Sequence, residues 1–411
     1  MNDTIRMDIL TRVEGHASVE LQRQGERVVG ARLRIHEAPR LFEALLVGRR
    51  CDEIADIVCR VCSICSTVHK VAALQAVEQA QGISVSRQTD LLRQLAVQGG
   101  QIESHALHVF CLALPDYLEA GGFPALAKLA PQRLQQGLAI KAVGNLIQEV
   151  VGGRAIHPCN LLLGGMGAVP GRERLLDLAE KLNLLHDEMD DVIRFVCSLP
   201  QILPPLPPLP FCCARGESPL FGDRLETSTR KTIATTDAAG WLNEQVEAHS
   251  FAKISRFDGT GIFIVGPLAR LNLDMPAGSA ALLADAPITA SMLARGIELQ
   301  LAIQRAIALI DRLLLEKARP QIPAEFRPSS GAGIALLEAP RGLLLHSYNF
   351  DDGGICTSAN IITPTAINQA AMEFSLKALV AALDGAPYER VKTSAEQLVR
   401  CFDPCISCAV H

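Results

Sequence analysis

The chain has 411 residues, of which 49% are hydrophobic and 20% charged, with a formal net charge of −5. This composition is typical of a soluble globular protein with a sizeable core, and its mildly acidic balance gives no reason to expect nucleic acid or an anionic membrane as a partner. No uncharged apolar run reaches the roughly 20 residues of a membrane-spanning helix, and the N-terminus has no secretory signal pattern. The thirteen cysteines do not suggest a disulfide framework, so we expect mostly reduced thiols and a cytoplasmic location.

Hydropathy patterning predicts strands first and helices afterwards. Partial alternation over residues 5–36 favours strands joined by a hairpin turn at Gln24-Gly25-Glu26. Helical periodicity follows, with a stop signal at Gly82 after the second helix and at Pro115 after the third. The predicted helices span residues 39–47, 68–80, 86–114, 134–151, 175–199, 288–315 and 368–383, and residues 395–402 lead from the last of them to the C-terminal segment.

The last third of the chain changes in character. Residues 259–273 have the pattern of a strand and a turn, and short β segments are predicted at residues 333–338, 343–348 and 354–362. No internal repeat or interdomain linker is evident in the sequence. We therefore expect a single domain over residues 1–411, of the α+β class and predominantly α-helical. Its large helical core would carry peripheral β structure near the N-terminus and in the C-terminal third.

Two Cys-x-x-Cys pairs, each followed by a histidine, are the strongest chemical signal. Cys62 and Cys65 precede His69, and the last residues of the sequence contain Cys405 and Cys408. One such pair fits a redox dithiol or half of a zinc site, whereas two pairs favour a metal held by four thiolates. Structural zinc pairs usually lie roughly 15–20 residues apart. More than 300 residues separate these pairs in a chain large enough to fold without zinc, which favours a functional metal.

Two further histidines, His105 and His108, are spaced i, i+3 on one predicted helix. Such a pair is more often a pair of core histidines with satisfied hydrogen bonds than a pair of metal ligands. The spacing alone therefore favours a structural role.

The two cysteine motifs in this setting resemble those of the large, catalytic subunit of [NiFe]-hydrogenases. The first motif runs from Arg60 to His69 and the second from Asp403 to His411. Other matches occur between them in the family's order, so the resemblance covers nearly the whole chain. They are Thr11-Arg12-Val13-Glu14-Gly15-His16, Ser104-His105-Ala106-Leu107-His108, Gly152-Gly153-Arg154-Ala155-Ile156-His157-Pro158, Gly266-Pro267-Leu268-Ala269-Arg270, Glu338-Ala339-Pro340-Arg341-Gly342 and Pro364-Thr365-Ala366-Ile367-Asn368. One departure is Ser63, which stands where the family usually has glycine.

The resemblance implies a nickel–iron centre. Cys62 and Cys405 would be terminal nickel ligands, and Cys65 and Cys408 would bridge nickel and iron. The remaining iron ligands would be CO and cyanide, which do not come from the protein. His69 would form a hydrogen bond with a bridging sulfur.

The resemblance also assigns roles around that centre. Arg341 would place a guanidinium over the open side of the metals, and Glu14 would receive the proton released there. Thr365, with Pro340 beside it, would contact the diatomic ligands. Asp403 and Asp116 match acidic residues near the metals, and His105 and His108 would support the site without binding metal.

A magnesium ion is implied near the C-terminus. Its ligands would be the Glu43 carboxylate, the Ile361 carbonyl and the His411 imidazole. Family precursors often carry an extension behind this histidine that a maturation protease removes, so the sequence has the pattern of a mature end.

These features predict the catalytic subunit of a [NiFe]-hydrogenase, which interconverts H2 with protons and electrons. No Fe–S cluster motif is present in the chain, so electrons would pass to an iron–sulfur small subunit, with further electron-transfer or diaphorase subunits possible. The soluble composition resembles the cytoplasmic multisubunit branch. Two alternatives stay open at this point: an H2-sensing regulatory subunit with the same site, and a protein with a structural tetrathiolate zinc.

Overall fold

The structure is a computed structural model that describes residues 2–6, 9–25, 27–258, 261–273 and 286–411, with the backbone alone for residues 2–6. Glu26 of the predicted hairpin turn and Gly259 of the predicted strand-and-turn segment lie outside the described residues. The α-helices are α1 (Phe42–Leu46), α2 (Ile54–Val58), α3 (Ser66–Gln81), α4 (Arg87–Leu107), α5 (Leu114–Tyr117), α6 (Phe123–Leu129), α7 (Pro131–Gly152), α8 (Arg172–Ser198), α9 (Thr235–Trp241), α10 (Pro267–Leu273), α11 (Ser291–Leu315), α12 (Pro364–Ala382), α13 (Tyr388–Phe402) and α14 (Ile406–Ala409).

The strands form small sheets around these helices. They are β1 (Asn2–Arg6), β2 (Ala17–Gln24), β3 (Arg27–Ile35), β4 (Leu161–Leu162), β5 (Gly165–Met166), β6 (Cys212–Arg215), β7 (Phe221–Gly222), β8 (Arg224–Thr227), β9 (Thr232–Ala234), β10 (Leu242–Gln245), β11 (Ile254–Phe257), β12 (Gly331–Ala339), β13 (Gly342–Phe350) and β14 (Cys356–Ile362). The N-terminal sheet has the order β1-β2-β3, and the largest sheet has the order β14-β13-β12-β7. The predicted α+β class is confirmed.

Long helices form the core. Helices α3, α4, α7, α8 and α11 contribute most members of the largest cluster of buried apolar side chains. Helices α4 and α7 pack closely because glycines face each other. A Cβ on Gly99 would lie 2.9 Å from the carbonyl oxygen of Gly144, and a Cβ on Gly144 would lie 2.6 Å from the backbone nitrogen of Glu103.

Several predicted helix boundaries are confirmed. Helix α3 ends at Gln81, with Gly82 in the left-handed conformation (φ 64°) that favours glycine at this position. Helix α4 begins after Ser86, whose Oγ accepts a hydrogen bond from the backbone N–H of Thr89 at 3.2 Å.

Two sequence predictions about helices are wrong. The helix that starts at α4 does not end before Pro115. A π-helix (His108–Ala113) continues it, and Pro115 lies in the first turn of α5, a helical position at which proline is tolerated. Residues 267–273 are helix α10 rather than strand and turn, because Pro267 has a backbone angle suited to the first helical residue.

The two ends of the chain meet. Glu14 and Cys405 form a parallel backbone bridge, and the N–H of Ile406 donates to the carbonyl of Glu14 at 3.1 Å. The N–H of Arg40 donates to the carbonyl of Val410 at 2.7 Å. In the described part of the chain, no helix combines the length and apolarity that crossing a bilayer requires.

Candidate metal centre

The structure brings together the four cysteines of the two sequence pairs. Cys65 immediately precedes helix α3 and Cys405 immediately precedes α14, so both pairs lie at loop-to-helix junctions. The four sulfur atoms all lie within 4.8 Å of one another. Sγ of Cys405 lies 3.3 Å from that of Cys62 and 3.0 Å from that of Cys408. All four residues are buried, so the cluster is a preformed set of soft ligands screened from solvent.

Burial and mutual contact shift the pKa values of Cys62, Cys405 and Cys408. Hydrogen bonds with Cys405, Cys408 and Cys65 lower the pKa of Cys62, and Arg341 lowers it further. Burial raises the pKa values of Cys405 and Cys408. Four like charges cannot gather in a dry interior without a cation. The donor set therefore fits a metal that binds thiolates and displaces their protons.

Arg341 places a fixed positive charge against the cluster. Its Nη1 lies 3.7 Å from Sγ of Cys65, its Nε donates to the carbonyl of Asp403 at 2.7 Å, and its Nη2 donates to the Asp403 carboxylate at 3.0 Å. The hydroxyl of Ser104 lies 3.3 Å from Nη1. Although burial opposes it, the Asp403 carboxylate and the nearby sulfurs raise the pKa of Arg341. The guanidinium is therefore cationic throughout the physiological range.

A small enclosed cavity lies between this guanidinium and the thiols. Its volume is about 10 Å³, close to the minimum that holds one water molecule. Its lining residues are Cys65, His69, Ala339, Arg341, Leu344, Pro364, Thr365, Cys405 and Cys408. Thr365 Oγ1 accepts the backbone N–H of Cys405 at 2.9 Å, which leaves the threonine hydroxyl proton free to donate into the cavity. Pro340 lies next to Arg341, and its carbonyl accepts a hydrogen bond from Arg270 at 3.2 Å.

A buried chain of rings begins at His69, which borders both the cavity and the thiol cluster. Nε2 of His69 lies 3.6 Å from Sγ of Cys408, and its Nδ1 lies 3.0 Å from Nε2 of His346. Nδ1 of His346 in turn lies 2.6 Å from the hydroxyl of Tyr348. Burial lowers the pKa of His69 to about 4 and lowers that of His346 as well. Both imidazoles are therefore neutral at pH 7. Each can then donate one ring N–H and accept through its other nitrogen, so the hydrogen bonds of this chain can all run in one direction.

Glu14 lies at the solvent side of the second cysteine pair. Its carboxylate accepts the backbone N–H of Ser407 at 2.9 Å and also the hydroxyl of Ser407. Its own backbone pairs with Cys405. Glu14 is half-buried, so this carboxylate links the interior to the surface.

Asp116 lies in an ion-pair cluster of its own. Its carboxylate binds Arg12 at 2.6 Å and Arg400 at 2.6 and 2.9 Å. No hydrogen bond joins it to the four thiols within the described ranges. Arg12 lies two residues before Glu14, and Arg400 lies three before Asp403. The structure thus places Asp116 where it ties both site segments together.

The three residues predicted to bind magnesium are also brought together. Nε2 of His411 lies 3.8 Å from Oε1 of Glu43, and Glu43 accepts the backbone N–H of Ile361 at 2.9 Å. Although burial opposes it, contacts with His411, the Ile361 N–H and Lys253 lower the pKa of Glu43 to about 2. His411 Nε2 is buried without a hydrogen-bond partner, and so is Oε1 of Glu244, which pairs with Lys253 through its other oxygen. Two orphaned acceptors beside an ionised carboxylate fit a divalent cation.

The two histidines of α4 and the π-helix are buried core residues, as their spacing favoured, and each forms a hydrogen bond through Nε2 while its Nδ1 has no partner among the described residues. His105 Nε2 lies 3.0 Å from Glu298, and His108 Nε2 lies 2.8 Å from the carbonyl of Arg400. Burial lowers the pKa of His108 to about 3, so it is neutral and donates to that carbonyl.

Sequence reasoning missed several residues of the site. Ser104 and Ser407 lie inside motifs that the sequence does show, next to residues that drew attention first. His346 interrupts an apolar strand, and a buried polar residue of that kind is a usable signal. Glu244 has no sequence signal, because Glu43 and His411, whose charges act on it, are distant in the chain.

The family follows from comparison with known proteins. A family model described as nickel-dependent hydrogenase matches residues 40–123 and 223–411. The chain therefore belongs to the nickel-dependent hydrogenase family, as the two cysteine motifs predict.

Individual relatives agree over almost the full length. The alpha subunit of sulfhydrogenase 2 from Pyrococcus furiosus is 36% identical over 99% of this chain and 98% of the relative. The alpha subunit of sulfhydrogenase 1 from the same organism is 33% identical over 99% of this chain and 97% of the relative. Among solved structures, an NAD+-reducing [NiFe]-hydrogenase in the H2-reduced state superposes with a TM-score of 0.87 at 28% identity, covering 100% of this chain and 99% of that one.

Proposed function

We propose that this chain is the catalytic subunit of a [NiFe]-hydrogenase and catalyses H2 ⇌ 2H+ + 2e−. The observation that carries the proposal is a cluster of four buried thiols, three of which line a small closed cavity together with the buried guanidinium of Arg341. A structural zinc site would need the thiols but would leave Arg341, its Asp403 partner and the cavity without a purpose.

Each cysteine would hold the metals as the resemblance implies. Cys62 and Cys405 would bind nickel, and Cys65 and Cys408 would bridge nickel and iron. When bound, this centre, with CO and cyanide on iron, supplies the redox-active position at which H2 is polarised and split. The enclosed thiol cluster keeps bulk water away from that position.

Arg341 and Thr365 would act on the same cavity from two sides. The guanidinium is held at two points by Asp403, so its charge is already in place when charge develops on H2. A preorganised cation stabilises such a state without reorganisation at the moment of reaction. Thr365 would donate its free hydroxyl proton to a diatomic ligand, and Pro340 would shape the loop beside it.

Glu14 would take the proton away. Its backbone is paired with Cys405 and its carboxylate is held by Ser407, so it lies beside a thiolate yet reaches the surface. A carboxylate in that position can accept a proton from the cluster and release it to solvent.

A magnesium ion would occupy the site of Glu43, His411 and the backbone of Ile361. The orphaned Nε2 of His411 supports this assignment. Glu244 and Lys253 would lie near the ion, and Glu244 would accept hydrogen bonds from the water molecules bound to the magnesium.

The electrons require a partner, because no other metal-binding cluster of His, Cys, Asp and Glu side chains occurs in the described ranges. We propose an iron–sulfur small subunit, with further electron-transfer subunits beyond it, as the family resemblance implies. The relatives from Pyrococcus furiosus are named as alpha subunits, which supports a multisubunit enzyme. All thirteen cysteines are free thiols, which supports the reducing cytoplasm as the location.

The family resemblance also implies that a maturation protease acts on a precursor of this chain.

The proposal predicts that Cys62→Ser abolishes both nickel binding and H2-dependent reduction of an artificial acceptor, because a serine hydroxyl is a poor ligand for a soft metal. The matched control is Cys197→Ser, which removes an exposed thiol on α8 and should change neither quantity. Both variants are purified with their partner subunits and analysed for nickel, iron and zinc. One zinc per chain, no nickel and no turnover in the unmodified protein would overturn the proposal.

A further inference from the structure

Two sequence motifs dock on each other behind Arg341. The hairpin of β12 and β13 pairs Ala339 with Gly342, so Pro340 and Arg341 form a two-residue tip. Gly266, just before α10, lies against this tip with φ 111°, and a Cβ there would lie 2.7 Å from the carbonyl oxygen of Arg341. Gly342, with φ 130°, approaches the backbone of Gly266 equally closely. The two backbones therefore touch where any side chain would separate them.

Arg270 stabilises the contact between Gly266 and the hairpin tip through hydrogen bonds to the tip. Its Nη1 donates to the carbonyl of Ala339 at 2.9 Å, and its Nη2 donates to the carbonyl of Pro340 at 3.2 Å. The Pro340 carbonyl belongs to the peptide group that leads into Arg341, so its direction fixes where the Arg341 backbone starts. The Arg341 side chain is then held at its far end by Asp403.

The guanidinium of Arg270 is itself rigidly held. Its Nε and Nη2 bind the two carboxylate oxygens of Glu298 at 2.7 and 2.6 Å, and its Nη1 binds Glu338 at 2.7 Å. Glu298 also binds His105, and Glu338 accepts the backbone N–H of Ala214 at 2.7 Å. This network joins α4, α11, β6 and β12 at one buried point.

The geometry points to Arg270 as a positioning residue for Arg341. It holds the two carbonyls that precede Arg341 and thereby fixes the distance of that guanidinium from the thiol cluster. This inference rests on the proposed function for its catalytic meaning, but the positioning itself is a property of the polypeptide. The planar fork of arginine is needed, since a lysine ammonium is a single point that cannot serve two carboxylates and two carbonyls at once.

The test compares Arg270→Lys with Arg93→Lys in the complete enzyme complex. Arg93 is the matched control because it is also buried, binds Glu78 through two bonds of 2.7 Å and donates to the carbonyl of Leu162, but it does not touch the hairpin tip. Both changes keep the charge and lose buried hydrogen bonds, so both lower the melting temperature.

Only Arg270→Lys should disturb the tip. We expect faster amide hydrogen exchange in peptides covering residues 338–344, shifted CO and cyanide infrared bands, and turnover per loaded centre reduced on the order of tenfold or more, with little change in KM for H2. Arg93→Lys should show none of these three changes. Tip exchange and turnover in Arg270→Lys that match those of Arg93→Lys would overturn the inference.

A double-mutant cycle with Arg341→Lys separates positioning from general destabilisation. If Arg270 acts through Arg341, then Arg270→Lys has little further effect on turnover once Arg341 is replaced. Multiplicative losses would contradict the inference. An unmodified enzyme without H2 turnover would instead refute the proposed function, and the hydrogen-exchange comparison would still decide whether Arg270 fixes the tip.

Discussion

Individual side chains in this protein link the metal cluster to its surroundings through short, specific contacts. Glu14 is the clearest case, since its backbone binds the segment of Cys405 and its carboxylate binds Ser407. The prediction for Glu14 came from a family motif in the sequence. Ser407 could not be paired with it beforehand, because 393 positions separate the two residues.

Glu14→Gln should reduce H2 turnover and deuterium exchange between D2 and water at least tenfold, with the nickel and iron content unchanged. Glutamine keeps the shape of the side chain and one acceptor for Ser407, but it cannot carry a proton at neutral pH. Glu20→Gln is the control, because Glu20 is also half-buried and pairs with Arg34 away from the thiols. Turnover in Glu14→Gln equal to that of the control would remove Glu14 from the proton route.

Secondary-structure elements set the geometry through their ends. Periodicity predicted the long helices and short β segments where β12 and β13 lie, but it did not predict that these two strands pair as a hairpin. The strand-and-turn prediction failed at α10, since a seven-residue helix is too short to establish a period. The docking of Gly266 on Arg341 could not be predicted either, because it depends on two backbones approaching in three dimensions.

The charge network where these elements meet should make stability depend on pH. Burial raises the pKa of Glu338 to about 7, and repulsion from Glu298 adds to this effect. Arg270 and the backbone N–H of Ala214 act in the opposite direction, but they do not cancel it. The unfolded pKa of Glu338 is near 4.5, so between these values the folded state keeps a proton that the unfolded state has lost. Raising the pH through this window therefore favours unfolding, by about 3 kcal/mol for this group alone.

The variant Glu338→Gln isolates that contribution. Urea unfolding of the unmodified protein and of the variant, measured at intervals between pH 4.5 and 7.5, should give stabilities whose difference shifts in favour of the variant as pH rises. His105 and the other buried histidines titrate in both proteins and cancel in the comparison. A difference that is independent of pH would mean that Glu338 is ionised throughout, with Arg270 compensating its burial.

At the scale of the whole molecule, the fold brings the two ends of the chain to one buried point. The sequence predicted this union of the two cysteine pairs from thiol chemistry, although nothing in it could give the 3.3 Å contact between Cys62 and Cys405.

An exposed apolar group follows Arg40 in the sequence. The guanidinium of Arg40 donates to the carbonyls of Val61 and Ser407, which lie in the two segments that carry the cysteine pairs. The side chains of the apolar group are Leu41, Leu45 and Val47, each at least half exposed. A partner subunit that covers them would lie next to the cluster, where electrons must leave.

An infrared spectrum of the purified, fully matured enzyme tests the assignment of the nickel–iron centre directly. We expect absorption bands from CO and cyanide bound to iron, together with about one nickel per chain. These bands should disappear in Cys62→Ser and remain in Cys197→Ser. A metal-replete protein that lacks the bands and contains zinc at the four thiols would contradict the account.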